Sequence, residues 1–184
     1  MKNLIKILIL AFILNSCKKE TPNRTLLTKS NFELKTDITN FKDKMSELDT
    51  IKFFMNHSVC SYFGFEKITI TKKLDSIKVI SEFNELTFDE KYDPDWNLVY
   101  EKTISKTDSI WQFEKFISRN FKHINSDVSK RPILTIKNEK DSINFYTDGL
   151  RELNNFITDY YLTMRKLHPE NKNGIYGIEI RQER

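Results

Sequence analysis

Lys67-Ile68-Thr69-Ile70-Thr71-Lys72-Lys73-Leu74-Asp75-Ser76-Ile77-Lys78-Val79-Ile80-Ser81-Glu82-Phe83 is the stretch that decides the architecture. Ile68 and Ile70 alternate with polar residues before Lys73-Leu74-Asp75, and Ile77, Val79 and Phe83 alternate after it. Successive side chains of a strand point to opposite faces, so apolar residues at period two describe a strand with one buried face. Two such runs around a short polar turn predict an antiparallel hairpin over 67–71 and 76–83.

Working outward, the same pattern returns twice. Residues 133–137 and 142–146 flank Asn138-Glu139-Lys140-Asp141 as a second hairpin, and Leu98, Tyr100 and Ile104 alternate as a further strand after the acidic loop from Phe88 to Trp96. Tyr176, Ile178 and Ile180 suggest a last strand. Three helices interrupt the strands. Ile38, Phe41, Met45 and Leu48 recur at helical spacing behind Thr36 and Asp37 as candidate N-caps, although the sequence does not fix where this helix ends. Ser109 and Gln112 have the spacing of a capping box, and Ile110, Phe113, Ile117, Phe121 and Ile124 make an apolar stripe behind it. Leu150, Leu153, Phe156, Ile157, Tyr160, Tyr161, Met164 and Leu167 fit one broad face between Asp148 and Pro169.

Short turns between alternating strands point to an α+β class: an antiparallel sheet of short strands and hairpins with about three helices packed on it. A doubly wound parallel sheet is disfavoured. The triplets Asp75-Ser76-Ile77, Asp108-Ser109-Ile110 and Asp141-Ser142-Ile143 are evenly spaced, which raises an internal duplication beside the plainer reading that Asp-Ser is good turn and cap chemistry.

Composition narrows the function classes. With 14 Phe and 7 Tyr the chain can fill the core of one domain without metals or disulfides. Four glycines leave little from which to build a phosphate-cradling loop. Basic and acidic residues are nearly balanced and interleaved, so no electrostatic footprint for nucleic acid is visible.

The N-terminus reads Met1-Lys2-Asn3-Leu4-Ile5-Lys6, then an apolar run from Ile7 to Leu14, then Asn15-Ser16-Cys17. A basic start before a short apolar run is a signal-peptide pattern, and the run is far below the roughly 20 residues a membrane-spanning helix needs. Leu14-Asn15-Ser16-Cys17 resembles the lipobox of bacterial lipoprotein precursors, a resemblance confined to the first seventeen residues. It implies diacylglyceryl transfer to the Cys17 sulfur, cleavage after Ser16, and anchoring at the cell envelope. By the same resemblance, Lys18 rather than Asp after the cysteine implies the outer membrane. The chain then divides into a leader over 1–16, a lipidated cysteine and polar tether over 17–30, and a single α+β domain over 31–184. From Lys18 to Ser30 the tether spans at most about 45 Å.

Candidate chemistry is sparse. Lipidation consumes Cys17 and leaves Cys60 without a disulfide partner. His57 and Cys60 have a metal-like separation, but no second pair of ligands accompanies them, so no metal or cofactor is expected. His123 and His168 fall near predicted helix ends, where an imidazolium suits the dipole. No nucleophile elbow, Walker loop, Gly-x-Gly-x-x-Gly or His-Glu-x-x-His occurs, and no catalytic residue is assigned.

The densest acidic cluster, Asp89, Glu90, Asp93 and Asp95 beside Trp96, is the candidate binding site, although it lacks the glycine of a calcium loop. Tyr62-Phe63, Trp96 and Tyr160-Tyr161 either present an aromatic surface or fill the core. The leading expectation is a non-enzymatic, lipid-anchored domain that binds another protein, as an accessory or immunity-type partner. The alternative is an envelope hydrolase or ligand-binding enzyme acting on glycan or peptide, with 89–95 near its cleft.

Overall fold

A computed structural model describes residues 30–58, 62–86, 95–124 and 130–177. The expected α+β class is what the chain forms. Its strands are β1 (Thr50–Asn56), β2 (Phe63–Lys73), β3 (Ser76–Leu86), β4 (Asn97–Ser105), β5 (Leu134–Lys137) and β6 (Ser142–Phe145). They make one antiparallel sheet in the order β4-β3-β2-β1-β5-β6. Helix α1 spans 34–44 in three pieces, α2 is Phe113–Arg119 and α3 is Gly149–Met164, and all three pack on one face. Among the described residues no helix is long and apolar enough to cross a membrane.

Both expected hairpins form. Hairpin β2–β3 is longer than its apolar pattern suggests and turns through Leu74 and Asp75, with Leu74 at a φ of 54°. An L-residue pays for that conformation. The turn is tied down from outside: the Leu74 N–H donates to Glu47 Oε1 at 2.7 Å, and the Lys106 N–H donates to the Asp75 carbonyl at 2.8 Å. Asp141 and Asp108 also serve turns, the latter accepting the N–H groups of Ile110 and Trp111 through Oδ1 at 3.1 and 2.9 Å. All three Asp-Ser-Ile triplets thus lie where one element gives way to the next.

The strand at the centre is one the sequence pattern does not announce. In β1, Ile51, Phe53 and Met55 face the helices while Lys52, Phe54 and Asn56 face the other way. Phe54 on the outer side breaks the apolar-polar alternation by which the other strands are recognised.

Two helices differ from expectation for identifiable reasons. The first begins at Leu34, ahead of Thr36 and Asp37, and breaks into an α-turn Leu34–Asp37, a 3-10 turn Ile38–Asn40 and an α-turn Phe41–Lys44. Asp37 acts from inside, accepting the Glu33 N–H at 2.9 Å. Asp49 Oδ2 then takes the Ser46 N–H at 2.7 Å and the Ser46 and Ser30 hydroxyls at 2.8 and 2.5 Å, which stops the helix before Leu48 and leaves that residue exposed.

In α2 the Ser109–Gln112 capping box does not form, and Gln112 Nε2 donates to the Ser109 carbonyl instead. The preceding loop is held by the nearly buried Lys42, whose Nζ donates to the carbonyls of Asp108 and Trp111 at 2.9 and 3.4 Å. Helix thus starts only at Phe113, with Ile110 and Phe121 left on the surface.

α3 keeps its expected stripe, burying Phe156, Tyr160 and Met164, while Leu150 lies exposed. Asp148 occupies the N-cap position, but its side chain does not cap. Its own N–H donates to Glu152 Oε2 at 3.1 Å. Tyr176 sits in a turn and not in a strand, and Ile178 and Ile180 lie outside the described residues.

Between sheet and helices lies an aromatic core in which Phe53 stacks on Phe113 with ring centroids 4.4 Å apart. Strand β4 carries a bulge opposite Ser81 and Glu82, so Tyr100 pairs with Ser81 and Leu98 with Glu82. The extra residue reverses the alternation. Tyr100 enters the core while Leu98, expected on the same side, turns to solvent.

Candidate functional site

Among the described residues the inner face of the sheet buries one carboxylate. Glu66 follows the alternation of β2 inward and is fully buried. Both oxygens are met by donors. Oε1 accepts from the Ser81 hydroxyl at 2.8 Å and the Tyr176 phenol at 2.7 Å, and Oε2 accepts from the Tyr160 phenol at 2.9 Å and His57 Nε2 at 3.1 Å. Five segments converge: β2, β3 through Ser81, α3 through Tyr160, the turn carrying Tyr176, and the residue just past β1, where the His57 N–H donates to the Gly64 carbonyl at 2.8 Å.

Three further side chains extend the network. Tyr100 and Tyr176 hydroxyls lie 2.9 Å apart; since Tyr176 spends its proton on Glu66, Tyr100 is the donor. His57 Nδ1 lies 3.1 Å from the Tyr161 hydroxyl, and His168 stacks on Tyr100 at 5.1 Å. A carboxylate only accepts, so Nε2 of His57 carries a proton.

Burial pushes the Glu66 carboxyl up, but hydrogen bonds from His57, Tyr176 and Ser81, with the electrostatic pull of the His57 ring, outweigh it, so Glu66 is held below the usual carboxylate range. Burial, then the Glu66 charge, pushes the phenols the other way: Tyr160 and Tyr176 lie well above their ordinary value and Tyr161 is pushed up to about 12. Tyr161 therefore keeps its proton near neutrality and is a poor nucleophile. Four donors on one enclosed carboxylate leave no lone pair aimed at a substrate. The cluster is built to hold the core together.

The opposite face of the sheet bears no helix of the described residues. Here Phe54, Phe65 and Trp96 are half-buried and line a cleft of about 340 Å³ with Asn56, Pro132 and Thr135, and Arg131 stands exposed at its rim. Lys67 Nζ lies 4.6 Å from the Trp96 ring centroid and Lys137 Nζ lies 4.6 Å from that of Phe54. Lys67 also pairs with Glu82 at 3.0 Å, and Lys78 with Glu101 at 2.9 Å. Lys52 and Lys137 are direct partners across β1 and β5, both exposed.

Of the sequence-predicted candidates, Trp96 lies in this cleft and Asp95 stands exposed beside it, its carbonyl accepting from the Asn84 amide at 2.7 Å. Asp89, Glu90 and Asp93 lie outside the described residues, as do Cys17 and Cys60. The aromatic candidates separate: Tyr160 is core, Tyr62 and Tyr161 are half-buried, and Phe63 is exposed on β2.

His57 belongs to the Glu66 network. His123 ends the 3-10 turn Phe121–His123 after α2, 3.9 Å from Glu152. His168 follows α3, with Nε2 3.2 Å from the Lys172 carbonyl. Sequence reading missed Glu66 itself. The one signal was its phase, since Glu66 falls at the same parity as Ile68 and Ile70. Comparison with protein-family models, with curated proteins and with solved structures finds no match for this chain.

Proposed function

We propose that this chain is a lipid-anchored envelope protein, held at the outer membrane through acyl chains on Cys17, whose domain binds another protein across the open face of its sheet. The anchor rests on the sequence 1–17 alone. The binding role rests on one observation: among the described residues the sheet is packed with helices on one side only, and its other side carries the half-buried aromatic cleft of Phe54, Phe65 and Trp96. Aromatic side chains that supply contact area beside a guanidinium are the kind of group that dominates protein interfaces. Because the one buried acid–imidazole cluster of the described residues is saturated by its own partners, binding accounts for the visible chemistry better than catalysis does.

Two measurements test the two halves. Intact-mass analysis of the membrane fraction should find the leader removed and Cys17 acylated, and Cys17→Ser should release the chain from membranes. An unmodified Cys17, or a serine variant that stays bound, refutes the anchor. For the binding role, a photoreactive phenylalanine analogue at position 96 of the full chain, expressed in cells, should cross-link one discrete protein. The same group at Lys115, exposed on α2, should not. Equal or diffuse labelling from both positions refutes the open face as the interface.

A further inference from the structure

We infer that the partner presents an acidic, extended segment, which seats one large apolar side chain between Phe54, Phe65 and Trp96 and sets its carboxylates on Arg131, Lys137 and Lys52. This deepens the binding reading above and rests on it. On the open face Glu82 and Glu101 are each already engaged by a lysine, Lys67 and Lys78. Among the described residues no carboxylate pairs with Lys52, Lys137 or Arg131, and the register sets Lys52 directly opposite Lys137.

Like charges facing each other across a ladder destabilise it. The chain as a whole is close to neutral, with 30 basic and 26 acidic residues, so the positive excess of this patch is local. An anionic ligand relieves the repulsion that the described residues leave standing.

Shape narrows the ligand further. About 340 Å³ lies at the small end of binding sites, room for a side chain and its neighbours and not for a large cofactor. The polar groups of the cleft are largely spent on the protein itself: the Asn56 side-chain carbonyl holds the Ser58 N–H at 2.9 Å, and the Thr135 hydroxyl donates to Asn144 at 2.8 Å. What remains for a ligand is apolar wall and a cationic rim.

A phospholipid surface could satisfy the rim but not the wall. The rings of Phe54 and Trp96 are half-buried and each has a lysine ammonium 4.6 Å from its centroid, so they are poorly placed to insert below a headgroup layer. A protruding side chain flanked by carboxylates satisfies both.

The test pans the purified full chain, in neutral detergent micelles, against a displayed library of random dodecamer peptides. Enriched peptides should carry Asp and Glu around a single Phe, Leu, Ile or Trp, and their binding should weaken as salt rises through the range that screens exposed charges. The triple reversal Lys52→Glu, Arg131→Glu, Lys137→Glu should lower their affinity about tenfold or more. The milder Lys52→Gln, Lys137→Gln pair should act in the same direction, should the triple variant prove unfolded.

Peptides bound at Trp96 with no acidic excess, or with affinity unmoved by these variants, overturn the acidic partner and leave the binding face standing. No peptide whose binding depends on Trp96 overturns the face itself, and with it this inference. Binding of the full chain to vesicles of 30% phosphatidylglycerol that the charge reversal abolishes, without acidic peptide enrichment, assigns the patch to lipid and overturns it as well.

Discussion

The two faces of the sheet treat charge in opposite ways. On the covered face Glu66, the one fully buried carboxylate of the described residues, accepts four hydrogen bonds, from two phenols, a serine hydroxyl and an imidazole. On the open face Lys52 and Lys137 stand opposite each other with no acid of the described residues between them. A charge taken out of water must be satisfied within the protein, whereas an exposed one can wait for a partner. The covered side is therefore organised for stability, and the open side keeps unbalanced charge and half-buried aromatic surface in reach of another molecule.

The largest effect expected from breaking this contrast comes from Glu66→Gln. The amide turns two hydrogens toward groups that are themselves donors, so the loss should be about 3–5 kcal/mol in denaturant unfolding. The wild-type chain should also show an acid limb that the variant lacks. Because Glu66 is held below its ordinary value, its contribution is complete above the normal carboxylate range and disappears as pH falls through the lowered folded-state value. Identical acid limbs in the two proteins would remove Glu66 from its central role.

A paired truncation contrasts the faces by packing alone. Phe113→Ala empties a fully buried site stacked on Phe53 and should cost about 3–5 kcal/mol. Phe54→Ala, half-buried on the other side of the same strand, should cost roughly 1 kcal/mol, because less area is removed from water. Comparable losses in chemical unfolding would mean that the outer face is as much a core as the inner one.

Tyr176→Phe is more selective, deleting one proton on Glu66 and the acceptor of Tyr100. About 1.5–3 kcal/mol should be lost, with proteolysis around position 176 becoming faster than elsewhere. Smallest, and opposite in sign, is Lys52→Glu, which turns a facing like-charge pair into an attractive one. It should stabilise the domain by about 0.2–1 kcal/mol, less in high salt, while weakening partner binding. A Lys52→Glu protein no more stable than wild type would show that the facing lysines are not in tension.

The reading of particular elements explains what sequence alone conveys here. The β2–β3 and β5–β6 hairpins and α3 were legible because period two and period 3.6 are local: whichever partner arrives, residues such as Ile68, Ile70, Phe156 and Tyr160 must point to one side. The β1 strand was not, because Phe54 on its outer face is apolar for a reason located in the cleft. The short α2 and the broken α1 were not, because Lys42 and Asp49 reach across the chain to hold loops where the local pattern would continue a helix. Of the candidate site, Trp96 was visible as an unusual aromatic beside acids, whereas Phe54, Phe65 and Arg131 come from distant strands and loops.

What the sequence determined by itself is therefore the alternation of buried and exposed positions, and with it the class of the fold, because those preferences act over a few residues. Only the tertiary structure decided that Glu66 is buried at all. Its parity put it inside, but a carboxylate survives there only if Ser81, Tyr160, Tyr176 and His57 converge on it from four other segments, and convergence across 110 residues of chain is a property of packing and of no local pattern.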